Sequence, residues 1–406
     1  MNRNQQRRRP EASTTSSRRR FLGTAAIGTT GLLAGCLGSA SGTTTTLTMG
    51  YQPFSAHAWE ALVMKHSDIP ENYLPDGYSL EWQSALQGAV IGNRISVGKN
   101  QAGWMGDMPA LTTIAQTETP ASLVGLANWS HGQQCNLLIV PKDSDIQQIS
   151  DIAGKSVGVT KGSCTHRYLL RLLDAEGIDT NTVEMVDTGI STILANLREG
   201  RIAAGLGWEP SIAKSVFEDD LTKYVSTGAE YDIIDAGGLP MTDTLIENHR
   251  EAAKAILKAE LEATRVFERD RERTLDLVEQ EQDLRYFDRS TLRWGAYRDP
   301  PIGEDVQRLE FATDYERAKE PGKLMKETGP KFLTRQGALE SPPSADRYKP
   351  EILDEAAAEL GDSVGWAPRS AGGSGNGSAN GSGGNASAAN ASTGNGSAGN
   401  GSGGTR

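Results

Sequence analysis

Short β-branched runs alternate along most of this chain with stretches whose apolar residues recur every three or four positions. The unit between 155 and 173 is the clearest. Residues 156–160 form a β-branched run, Lys161 and Gly162 break it, and Tyr168, Leu169, Leu172 and Leu173 then fall on one helical face. The same strand–loop–helix pattern predicts strands at 46–51, 78–83, 101–105 and 121–127, with helices at 56–66, 88–97 and 109–116 between them. It resumes with an apolar strand at 136–140. Three pairs then follow: 157–160 with 164–175, 183–186 with 190–198, and 202–207 with 210–217. A last strand is predicted at 231–234, and Asp235-Ala236-Gly237-Gly238 reads as a hinge crossing. From 243 to 332 the chain is mostly helical, and the helix over 247–269 places Ala253, Ile256, Leu257, Leu261 and Val266 on an apolar face with its charges outward. Strands alternating with helices predict an α/β fold of largely parallel, doubly wound sheets covered on both faces. Ligands in such sheets sit at the carboxyl ends of the strands.

Length changes the picture from one domain to two: 406 residues, 37% of them hydrophobic, suffice for two cores. Charge then separates the ends from the body. Seven Arg and the single acid Glu11 precede Cys36, leaving 34 basic against 51 acidic residues from there on, a net of −17. So acidic a body argues against nucleic acid as a partner and suits a high-salt milieu, where screening tolerates the self-repulsion. Residues 1–35 read as a targeting segment. Ser17-Arg18-Arg19-Arg20-Phe21-Leu22 resembles the twin-arginine export motif, with Gly23 where Lys is frequent. The apolar run that follows is too short to span a bilayer. Leu33-Ala34-Gly35-Cys36 resembles a lipobox, which makes Cys36 the expected lipidation site and 36–46 a tether. Residues 370–406 are almost entirely Gly, Ser, Asn and Ala, a composition that predicts a flexible tail carrying Asn-x-Ser triplets from Asn376 to Asn400.

Candidate chemistry gathers at the predicted loops. Gly162-Ser163-Cys164-Thr165-His166 precedes a helix, whose free N–H groups and dipole suit an anion. Ser163 is either the helix cap or a hydroxyl donor to that anion. Gln52-Pro53-Phe54, Gly106-Asp107-Met108 and the stretch ending at Trp129 lie at other strand ends. Asp107 and Glu209 each open a helix and are followed by Pro109 and Pro210. Each is either a cap or an acceptor for a cationic ligand group. Trp129 and Trp208 belong to the core or wall the cleft. Cys135 and Cys164 are either a disulfide, as an exported chain permits, or two thiols. Cys164 and His166 stand two apart on a helix and face different ways, which argues against a thiol–imidazole nucleophile. The five His show no metal-ligand spacing, and there is no P-loop. No cofactor is expected.

Over residues 47–332 the chain resembles solute-binding proteins of ABC importers in the nitrate/sulfonate/taurine family. The resemblance rests on Gly103-Trp104-Met105-Gly106-Asp107-Met108-Pro109, on Asp151-Ile152-Ala153-Gly154-Lys155-Ser156-Val157-Gly158-Val159, and on Gly162-Ser163. It rests also on Asn196-Leu197-Arg198-Glu199-Gly200-Arg201-Ile202 and on Trp208-Glu209-Pro210. It implies a bilobal, type II periplasmic-binding-protein fold. One lobe would comprise 47–135 and 236–362, the other 136–235, with the solute clamped between them. It implies a non-enzymatic, monomeric receptor on the outer face of the membrane. That receptor would deliver a small anion to a permease and its ATPase. Organic sulfonates such as taurine come first as solute. Nitrate, bicarbonate and a thiamine-precursor pyrimidine are the alternatives, and a pyrimidine-synthase-like enzyme on the same fold is the rival class. Glu209 where Asp is common, and Asp107-Met108 where small polar residues are frequent, depart from the family pattern.

Overall fold

Two sheets, each wrapped by helices, carry the described part of the chain. The computed structural model describes residues 44–116, 118–298 and 319–361. Residues 1–36 and 370–406, on which the export, lipidation and tail expectations fall, lie outside them. The strands are β1 (Thr45–Tyr51), β2 (Tyr78–Ser84), β3 (Ala102–Gly103), β4 (Met105–Gly106), β5 (Ala121–Ser130), β6 (Leu137–Pro141), β7 (Ser156–Val159), β8 (Glu184–Asp187), β9 (Ala204–Gly207), β10 (Thr222–Thr227) and β11 (Asp235–Thr242). The helices are α1 (Trp59–Lys65), α2 (Gly88–Ser96), α3 (Asp107–Ile114), α4 (Cys164–Ala175), α5 (Ile190–Arg198), α6 (Ser211–Ala213), α7 (Asp243–Asn248), α8 (Arg250–Arg269), α9 (Arg271–Val278), α10 (Arg289–Tyr297), α11 (Lys319–Lys323), α12 (Gly329–Arg335) and α13 (Glu351–Leu360).

The first sheet runs β2-β1-β3-β11-β4, with β5 also on β11; the second runs β10-β6-β9-β7-β8. β1 pairs in parallel with β2 and β3, and β7 with β8 and β9. β11 is antiparallel to all its neighbours, and β6 to β9 and β10. The sheets are therefore mixed: β11 returns to the first sheet against its neighbours, and β6 runs against β9 and β10 in the second. This is the bilobal periplasmic-binding-protein fold that the family resemblance implied.

Local sequence accounts for the elements. Leu137-Leu138-Ile139-Val140 is an unbroken apolar run and is buried on both faces of its sheet. In α4 the residues at helical spacing, Tyr168, Leu169, Leu172 and Leu173, are all buried, while Arg171 and Asp174 face water. Three expectations are corrected. The run 101–105 is broken into β3 and β4. Residues 231–234 are no strand: they follow the tight helical turn Gly228–Tyr231, and the strand before it is β10, antiparallel to β6. Asp235 to Gly238 are not a free hinge but lie buried in β11, central to the first sheet.

The two segments joining the sheets run through 131–136 and 228–234, and they meet at glycines. A Cβ on Gly132 would lie 2.3 Å from the Ile233 carbonyl oxygen and 2.6 Å from Gly228 Cα, so the crossings pack backbone to backbone. Gly228 N–H donates to both Gly132 and Asn136 carbonyls at 2.9 Å. A disulfide joins Cys135 in the first crossing to Cys164 at the start of α4, with Cα atoms 6.4 Å apart.

Candidate functional site

Four helices start at the carboxyl ends of strands along the junction of the lobes. In the first lobe β2 leads into α2, with Gln87 at its N-cap, and β4 into α3, capped by Gly106. In the second β7 leads into α4, capped by Ser163, and β8 into α5, capped by Gly189. Contacts across the junction bring these ends together. A Cβ on Gly189 would stand 2.7 Å from Gln87 Nε2, which places the starts of α2 and α5 against each other. One on Gly88 would stand 2.9 Å from Gln52 Oε1 and from Met105 Cβ, so the loop after β1 and the end of β4 close in on α2. Arg167, in the first turns of α4, reaches Asp107 at the start of α3 at 3.4 Å. Thr160 donates to the Thr188 carbonyl at 2.9 Å and Lys161 N–H to Asp187 Oδ1 at 3.0 Å, so the loops before α4 and α5 are tied side by side. Ala56 N–H donates to the Glu209 carbonyl at 3.3 Å, linking the β1 loop to the second lobe.

The caps decide what such a site can hold. No side chain caps α2, α3 or α5. In α3 the Met108 N–H is taken by Asp107 Oδ1 at 2.7 Å; the leading N–H groups of α2 and α5 are the orphan donors of a helix start, with the positive end of the dipole behind them. A small anion fits that donor set. Only α4 is capped from within: Ser163 Oγ accepts from His166 N–H at 3.4 Å, donates to the Thr160 carbonyl at 2.6 Å and shares a hydrogen bond with Thr165 Oγ1 at 2.7 Å. The Ser163 and Thr165 hydroxyls thus face the loop, and Ser163 plays the capping role. Gly162 supplies the left-handed turn, φ +76°, and its N–H donates to His166 Nδ1 at 3.2 Å. Burial, with Lys161 adding to it, pushes His166 below the usual imidazole range, which keeps Nδ1 an acceptor.

The remaining expected residues fall in different places. Gln52 is buried at the junction beside α2. Pro53 accepts from Trp59 Nε1 at 2.8 Å, which fixes the loop, and Phe54 packs on Phe287, centroids 5.9 Å apart. Trp129 is half-buried at the end of β5 against His131. Trp208 is core, packed with Ile190 and Ile212. Cys164 is held in the disulfide, so no thiol stands beside His166. Asp107 is fully buried; burial raises its pKa and Arg167 opposes that rise.

Glu209 is fully buried, and its carboxylate is engaged by neighbouring elements. Its Oε1 accepts from Tyr224 Oη at 2.7 Å and Arg298 Nη1 at 2.5 Å, and its Oε2 from Ala213 N–H at 2.8 Å. Both oxygens are spent on the chain itself, and the capping reading accounts for the last of these bonds.

Sequence reasoning passed over Gln87, Thr188-Gly189, Arg167, His57 and Arg298. The Gly before the α5 pattern was a legible signal for a helix start. The charged residues were not, because their partners come from distant elements. His57 Nε2 lies 2.9 Å from Asp235 Oδ1, and Asp235 Oδ2 accepts from Cys135 N–H at 2.7 Å. Burial pushes Asp235 up, but His57, the Ser130 hydroxyl and the Cys135 N–H outweigh it and hold the carboxyl below its usual value. No group of three or more His, Cys, Asp or Glu among the described residues is arranged to hold a metal.

A bilobal α/β fold with uncapped helix starts facing one another across the lobe junction can enclose a small anion. Comparison with known proteins shows what the chain is similar to. Residues 95–270 match the family described as NMT1/THI5 like. An aliphatic sulfonates-binding protein of Escherichia coli (strain K12) is 24% identical over 172 residues, which is 42% of this chain and 52%, about half, of that protein. Among solved structures, the periplasmic aliphatic sulphonate binding protein of Escherichia coli superposes with a TM-score of 0.62 at 17% identity, covering 76% of this chain and 99% of the other. A desulfurization enzyme superposes with a TM-score of 0.59 at 18% identity, covering 77% and 99%. The fold is thus shared by a binding protein and an enzyme.

Proposed function

We propose that this chain is the extracytoplasmic solute-binding component of an ABC importer, closing its two lobes on a small oxyanion and passing it to a permease. The observation that carries this is the convergence of four helix starts, three without a side-chain cap, on one junction between lobes. Sulfonates come first as solute because the relatives named above are sulfonate binders. Nitrate, bicarbonate and a pyrimidine are the alternatives. A monomer exported by the twin-arginine route and tethered through lipidated Cys36 completes the reading; the motifs at 17–22 and 33–36 support it. No described helix is long and apolar enough to cross a membrane. A thiol–imidazole nucleophile would draw on Cys164, and that sulfur is in a disulfide.

Calorimetric titration with taurine, alkanesulfonates, nitrate, bicarbonate and a pyrimidine tests the reading, together with Gly189→Asp. Gly189 has φ −79° and ψ 160°, and Asp is a good N-cap, so stability is expected to hold or rise. The added carboxylate faces the incoming anion and is expected to abolish binding. Unchanged affinity in Gly189→Asp would remove the converging helix starts as the site.

A further inference from the structure

On the flank of the junction, beside the crossing 232–234, α4 and the α11–α12 segment enclose a separate concavity of about 300 Å³. Arg167 and Arg171 line it from the second lobe, and Lys323, Lys331 and Arg335 from the first. Arg167 and Arg171 stand four apart on α4, and Lys331 and Arg335 four apart on α12, so each wall presents a pair of cations from one helix face. Asp232 and Glu320 are the carboxylates of its lining. Five cations against two anions is a local excess of three positive charges in a chain whose net charge is −11.

Here Arg171, Lys323 and Arg335 form no ion pair with any described residue, and Lys331 approaches Glu327 at 4.0 Å. Arg167 is the strongest indication. It is 7% exposed and always charged. Its Nη2 donates to Asp107 and to the Ile234 carbonyl, yet its Nε is buried with no acceptor. Buried donors in native proteins are nearly always paired, so the guanidinium of Arg167 is left with incomplete hydrogen bonding in this arrangement.

We propose that this concavity is a second anion site, taking a divalent oxyanion of the sulfate or phosphate class, headed by Arg167 and clamped by Arg171 and Arg335. Its volume suits a tetrahedral ion with a few waters or a phosphate monoester. The walls come from different lobes. Without a counterion their like charges oppose one another across the junction; with one bound they are held together. On the reading proposed above, occupancy therefore favours the closed arrangement.

The test is titration of the full chain with sodium sulfate, read by calorimetry and by melting temperature, against sodium chloride at matched ionic strength. Running it in the Gly189→Asp background separates this site from the cleft. Saturable sulfate binding is expected there, reduced at least tenfold by Arg171→Gln with Arg335→Gln, both of which are exposed residues whose replacement spares the core. Sulfate also stabilises proteins by exclusion from their surface, but that effect does not saturate and would survive the double substitution. A purely non-saturating effect overturns the proposal. So does saturable binding that the double variant retains, or that appears in the parent and vanishes with Gly189→Asp, since the ion is then in the cleft.

Discussion

Two regions of this molecule bury carboxylates completely and treat them in opposite ways. At the junction of the lobes, Asp235 and Glu209 are surrounded by donors: His57, Ser130 and the Cys135 N–H for one, Tyr224, Arg298 and the Ala213 N–H for the other. In the core of the first lobe, Glu60 on α1 and Glu260 on α8 lie close enough to repel each other, with Asn128 Nδ2 at 3.1 Å from both oxygens of Glu60 and no hydrogen bond to either oxygen of Glu260. Burial raises both, and Glu260 is pushed up to about 8. The junction stores charge by pairing it; the core holds its acids by keeping them protonated. A buried ion that spans lobes fixes their geometry, whereas an unpaired buried acid only makes the fold depend on pH.

Breaking the better-paired region has the largest expected effect. Arg298→Met leaves Glu209 charged, buried and short of its cation, and is expected to cost about 3–5 kcal/mol of unfolding free energy in urea melts. Asp235→Asn follows, at about 1.5–3 kcal/mol near neutral pH, since several donors lose a charged acceptor. Its signature is in acid. The folded value of Asp235 is depressed, so its contribution is present above the ordinary carboxylate range and is lost as pH falls through the depressed value. The deficit of Asp235→Asn is therefore expected to shrink in acid; a deficit constant with pH would separate Asp235 from the charge pairing argued here.

Glu260→Met sharpens the other side of the comparison. A raised folded value means the folded chain binds the extra proton, so stability declines as pH rises from about 4.5 to about 8. The substitution is expected to leave stability nearly unchanged at pH 5 and to raise it by about 1–2 kcal/mol at pH 8. Equal effects at both pH values would show that Glu260 does not titrate there. Smallest is Ser163→Ala. It removes the one side-chain cap at the junction and is expected to cost about 1 kcal/mol of stability. Its hydroxyl points into its own loop, so solute affinity is expected to move by well under tenfold, or about 1 kcal/mol or less. A hundredfold loss of affinity would return Ser163 to the ligand.

The periodicity of the chain determined the alternation of strands and helices, the face that α4 buries and the strand ends where loops gather. It did so because these are properties of near neighbours: a 3.6-residue or two-residue repeat is written in the sequence itself. Gly162 before α4 was legible for the same reason, as a left-handed turn at a strand end. Only the tertiary structure decided what the charges do. The sequence presents Glu260 on an α8 whose charges face out, yet it is buried, because α1 packs over that side of the helix. Glu209 reads equally well as a cap and as a ligand acceptor, and no local pattern shows that Arg298, 89 residues away, pairs with its Oε1. Gln87 and Gly189 become one site only across two lobes. A carboxylate's role depends on which donors lie within about 3 Å, and here Arg298 for Glu209, and Cys135, Ser130 and His57 for Asp235, stand 89 to 178 residues distant, a separation that no local pattern records.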